Sequence, residues 1–68
     1  MVLVEVFNYL RKIRLQNDLT QGELAIKSGV SRQTINAIER QRIARPNDNT
    51  MLAIAQALNC SVEEIFLT

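Results

Sequence analysis

Only three residues, Ser28-Gly29-Val30, separate two segments that each carry a helix-start signal, and no other feature restricts this chain as much. Thr20-Gln21-Gly22-Glu23 is a capping box. The threonine hydroxyl is placed to accept the amide of the third helical residue, whose carboxylate returns to the threonine amide. Leu19 and Leu24 stand at hydrophobic-staple positions around it. Ser31 offers a second cap without the reciprocal glutamate, and Val30 and Ile35 take the staple positions there. Gly29 adopts positive φ at no steric cost, and a connection this short forces the two helices into a sharply angled helix-turn-helix. Ala25 is small where the next helix must approach closely. The spacing turns Leu24, Val30, Ile35 and Ile38 inward, against the first and fourth helices.

The other elements follow from similar signals. Ser61-Val62-Glu63-Glu64 repeats the capping box, with Cys60 and Ile65 as its apolar pair. Residues 47–49 supply cap candidates directly after Pro46. Met51, Leu52, Ile54, Ala55 and Leu58 then recur at helical spacing. Earlier, Leu10, Ile13 and Phe7 form an apolar stripe ending near Asn17-Asp18, with Asn8 as its cap candidate. Five short helices result, in one domain spanning 1–68. Val2, Leu3, Val4 and Val6 are β-prone but too few for a sheet. They either extend the first helix or form an edge strand, whose partner is the tail 65–68 of the same chain or of a second copy.

A chain of 68 residues, 47% hydrophobic, supplies a core worth only a few kcal/mol and little room for a cleft. It has no His, one Cys and no Trp. That inventory excludes a His- or Cys-ligated zinc site, a Ser-His-Asp triad and a disulfide framework. Neither a metal nor a cofactor is expected, nor an enzyme, since its carboxylates are scattered with no acid, base or nucleophile cluster. Cys60 reads as a small core residue in a reducing cytosol. No apolar run approaches the roughly 20 residues of a membrane span, and MVLVEVF lacks the basic start of a signal peptide. A cytoplasmic protein is the expectation.

Net charge is +1, but all eight basic residues lie between positions 11 and 45, with three acidic residues there, a local surplus of five. One side of the domain is therefore expected to be positive. The segment Ser31-Arg32-Gln33-Thr34-Ile35-Asn36-Ala37-Ile38-Glu39-Arg40 shows what that charge serves. At about 100° per residue from Arg32, Asn36, Arg40, Gln33 and Ala37 fall near 40°, 80°, 100° and 140°, whereas Ile38 and Ile35 fall near 240° and 300°. The polar arc opposes the buried one. Such an arc suits a B-DNA major groove: Arg32 can bind guanine bidentately, Gln33 and Asn36 can do so with adenine, and Ala37 can meet a thymine methyl. The Ser31 hydroxyl and the helix N-terminal amides add phosphate contacts. An ordinary solvated face explains such an arc on most amphipathic helices; the glycine turn, the caps and the clustered charge weigh against it here.

The segment LTQGELAIKSGVSRQTINAIER, with the helix-turn-helix proper at about 20–40, resembles the lambda-repressor and Cro type, the xenobiotic-response-element (XRE) family. The similarity runs over about 10–66, with Ile54-Ala55-Gln56-Ala57-Leu58 and 61–66 similar to the family's fourth and fifth helices. It implies an all-α, compact five-helix lambda-repressor-like domain that represses or activates transcription from an operator, usually as a dimer. By position, Arg32, Gln33, Asn36 and Ala37 face base edges and Thr34 lies near the backbone. Gln21 anchors its helix to a phosphate, and Arg40, Arg42 and Arg45 grip phosphates beyond the recognition helix. Arg14 and Glu39 match a salt bridge between the first and third helices; electrostatics alone also allows Arg14 a phosphate.

Three departures from the family pattern stand out. Glu39-Arg40-Gln41 replaces a common Glu-Asn-Gly, so the glycine cap is missing and the recognition helix is expected to end differently. Asp48 sits at an often apolar position, which shifts or exposes the start of helix four. The valine-rich segment precedes the usual start of the domain. The expectation is a cytoplasmic repressor on a short palindromic double-stranded DNA operator. It is read as a homodimer paired through Val62, Ile65, Phe66 and Leu67, unless those residues simply close the core. The rival is an antitoxin or other interaction module whose DNA binding is secondary to masking a partner such as a toxin.

Overall fold

A computed structural model describes residues 6–43 and 45–66 and contains five helices: α1 Leu10–Gln16, α2 Gln21–Ser28, α3 Arg32–Glu39, α4 Asp48–Ala57 and α5 Val62–Ile65. The local signals account for most of the boundaries. Thr20 and Ser61 close full capping boxes with Glu23 and Glu64. Ser31 and Asn47 accept the amides of Thr34 and Thr50 at 3.1 and 2.8 Å. Asp48 is the exposed first residue of α4, where a carboxylate meets the positive end of the helix dipole.

Three helices end on a left-handed residue that is not glycine: Asp18, Gln41 and Asn59, at φ 58°, 63° and 55°. At α3, the Arg42 amide bonds the Ala37 carbonyl and the Gln41 amide bonds Ile38, which is the Schellman arrangement. The missing glycine after Glu39 therefore does not change the type of ending. Asp and Asn tolerate this backbone well; glutamine does so rarely. Gly29 ends α2 at φ 75°.

Leu10, Leu24, Ile35, Ile38, Met51, Ile54, Ala55, Ala57, Leu58, Ile65 and Phe66 form the core, with Leu19, Ala25, Val30 and Cys60 packed against it. α2 packs on both α3 and α4, while α1 braces α3 and α5 closes on α4. One sequence expectation needs correction, and two alternatives that the sequence left open are narrowed. Tyr9, not Asn8, is the N-cap position of α1 and gives no side-chain cap; Asn8 instead turns its Oδ1 to the Leu10 amide at 3.0 Å. Val6 and Phe7 do not extend α1, and strand pairing among the described residues is one antiparallel bridge, Asn8 with Phe66. Val2, Leu3 and Val4 lie outside the described residues.

The tail favours the second of its two readings: Ile65 and Phe66 are 0% and 1% exposed within a single chain and close the core. Val62 is half-buried against that core, and Leu67 lies outside the described residues.

Candidate nucleic-acid interface

α3 supplies the exposed arc. Ile35 and Ile38 are both 0% exposed and clamp one side of the helix to the core. Arg32 and Gln33 are exposed on the other side, and Asn36 and Ala37 are half-buried. These four, with Gln21 from α2 and Arg42 beyond α3, line one shallow open concavity. Residues assigned from helical periodicity are thus neighbours in space, joined by one from the preceding helix.

The caps redistribute donors at the start of α3. Ser31 Oγ accepts the Thr34 amide and donates to Thr34 Oγ1 at 2.8 Å. The one hydroxyl proton of Ser31 is therefore committed, and the Thr34 hydroxyl is the one left to donate outward.

Behind the arc stands a buried ion pair. Arg14 Nε donates to Glu39 Oε2 at 2.6 Å and Nη2 to Glu39 Oε1 at 3.0 Å, a two-pronged contact between α1 and α3. Arg14 Nη1 donates to the Leu19 carbonyl at 2.6 Å, tying down the entry to α2. With Arg14 only 7% exposed and three of its five N–H groups bonded within the chain, its burial weighs against a phosphate contact. Its hydrogen bond to Glu39 raises the guanidinium pKa further above an already high value, against the opposing effect of burial.

Gln21 extends the network. Its Nε2 donates to Glu39 Oε1 at 3.1 Å, and its Oε1 accepts a long contact from Asn36 Nδ2 at 3.4 Å. Glu39 can only accept, which fixes the amide with nitrogen toward Glu39 and oxygen toward Asn36. In the free protein Gln21 is thus bonded to its own chain, and a phosphate can claim only its remaining donor.

Arg40, Arg42 and Arg45 are exposed beyond or at the end of α3. Arg40 shares a polar cleft with Arg11, Arg14, Gln21, Asn36 and Glu39. Arg11 was not singled out in the sequence, because nothing local to α1 says that its outer face adjoins the end of α3. The lone Cys60 is half-buried, and burial, then the nearby Glu64 charge, push its thiol pKa up, so it stays a neutral thiol. No cluster of metal-ligating side chains occurs among the described residues, and no helix there is long and apolar enough to cross a membrane.

Comparison with known proteins agrees with this geometry. The family described as helix-turn-helix matches residues 10–65. A Methanocaldococcus jannaschii protein named as an uncharacterized HTH-type transcriptional regulator is 42% identical over 60 residues, covering 88% of this chain and 89% of that protein.

Proposed function

The chain belongs to the helix-turn-helix family of DNA-binding transcriptional regulators, and from that premise we propose that it is a repressor reading a palindromic operator in the cytoplasm. In this reading α3 lies in the major groove. Arg32, Gln33, Asn36 and Ala37 meet base edges, while Thr34, Arg40, Arg42 and Arg45 hold phosphates on either side. The observation that carries the proposal is the single concavity that unites those four α3 residues with Gln21 and Arg42, on the side of the helix opposite its two buried isoleucines.

One α3 covers only a few base pairs. Two copies placed about 34 Å apart along the duplex supply the missing affinity and specificity. The burial of Ile65 and Phe66 in the core supports a contact made by other residues.

A salt-titrated binding assay on the DNA upstream of the protein's own gene, with the mass of the complex measured alongside, tests this reading. Gln33→Ala is expected to cost about 1–3 kcal/mol on the cognate site and to relax discrimination at one base, whereas Arg45→Ala weakens all sequences alike and flattens the salt slope. Equal, sequence-independent losses from both substitutions would overturn the assignment of roles.

A further inference from the structure

The end of the recognition helix is held by a residue whose backbone and side chain pull in different directions. Gln41 stands in the left-handed region at φ 63°, where glycine is strain-free and a glutamine is not. Its side chain reaches back to the segment before α1. Gln41 Oε1 accepts the Phe7 amide at 2.9 Å and Asn8 Nδ2 at 3.2 Å, and its Nε2 donates to the Asn8 carbonyl at 3.3 Å.

Asn8 makes the other half of the joint. It is 2% exposed, and its Nδ2 also donates at 2.9 Å to the carbonyl of Ile38, which already accepts the Gln41 amide, so the side chain adds a second bond at the end of α3. The same residue bridges to Phe66, and the Tyr9 amide bonds the Ile65 carbonyl at 2.7 Å. The segment 7–9 thus lies across the end of α3 and is pinned on its far side by the tail of the domain.

We propose that Gln41 is a positioning residue for DNA binding: it latches segment 7–9 over the end of α3 and so holds the flanking Arg40 and Arg42 in the direction needed to meet phosphates. This rests on the DNA-binding reading above. A glycine here would relieve the backbone but leave Phe7 and Asn8 without their partner. Arg40 and Arg42 would then project from a looser chain end, and each phosphate contact would carry an added ordering cost.

The test compares wild type with Gln41→Gly and Gln41→Glu. Glutamate keeps an oxygen that accepts from Phe7 and Asn8 but replaces the donor with a charged oxygen facing the Asn8 carbonyl, so it is compared in Phe7 exchange alone. Three quantities are measured: thermal midpoint, exchange of the Phe7 amide by NMR, and salt-dependent binding to a mixed-sequence 20-base-pair duplex. For Gln41→Gly we expect an unchanged or higher midpoint, Phe7 exchange faster by about tenfold, and duplex binding weaker by about three- to tenfold with a shallower salt slope. Gln41→Glu should fall between the two in Phe7 exchange. A glycine variant that keeps both Phe7 protection and wild-type binding overturns the latch. Faster Phe7 exchange with unchanged binding overturns the positioning role and leaves a purely structural clasp. A wild-type protein with no salt-dependent duplex binding sinks the DNA-binding reading itself, and Gln41's positioning role with it, while Phe7 exchange still decides whether the latch exists.

Discussion

Arg14 and Glu39 show how a single residue can decide whether this small domain folds. The Glu39 side chain is 3% exposed, and its carboxylate accepts two bonds from Arg14 and one from Gln21. Removing the cation alone strands a buried charge. Arg14→Met is therefore expected to cost about 3–5 kcal/mol, comparable with the whole stability of such a domain, and the double change with Glu39→Leu should recover most of it. Urea unfolding of the three proteins checks this; a single substitution as mild as the double would mean the pair is solvated. The pairing partner was legible in the sequence only through family resemblance. The third arm, from Gln21, was not, because an amide at a helix start gives no local sign of which carboxylate will orient it.

At the scale of elements, four of the five helix starts were readable and the end of α3 was not. Thr20, Ser31, Asn47 and Ser61 all cap as their local sequence implies, since capping involves residues three apart and little else. Gln41 defied that reading because its left-handed turn is supported by Phe7 and Asn8, more than 30 positions away. Phe66 is similar: whether a tail residue closes the core or faces a partner depends on packing that no periodicity in a four-residue helix can report. The capping box of α2 also carries a pH dependence. The Thr20 amide, then its hydroxyl, hydrogen-bond the Glu23 carboxylate and hold its pKa below the usual value. A lowered pKa means that this contribution is complete above the unfolded-state pKa and disappears as pH falls through the folded-state one. Glu23→Gln keeps an oxygen for Thr20 but cannot titrate. The stability gap between wild type and Glu23→Gln should therefore narrow as pH drops from 7 to about 3, and urea midpoints across that range would show it. A gap independent of pH would remove the ionised box from the account.

For the whole molecule, seven of the eight cations lie at the surface once Arg14 is set aside. Arg11, Lys12, Lys27, Arg32, Arg40, Arg42 and Arg45 are all exposed. Arg11 reaches the same polar cleft as Arg40 from a different helix, so the cationic side spans both α1 and the end of α3. Arg11→Ala is accordingly expected to weaken binding to every duplex alike and reduce the salt slope by about 1, which a titration from low to physiological salt would register. An unaltered slope would place Arg11 outside the contact area. Sequence distribution alone indicated a charged side, but only folding shows which cations share it. The side chains of Arg32 and Gln33, meanwhile, make no hydrogen bond within the protein among the described residues, while the isoleucines behind them carry the attachment. In the proposed reading, scaffold and target choice are thereby separable at those two positions: changing two solvent-facing side chains would redirect the protein to a new site and leave the scaffold that presents them untouched.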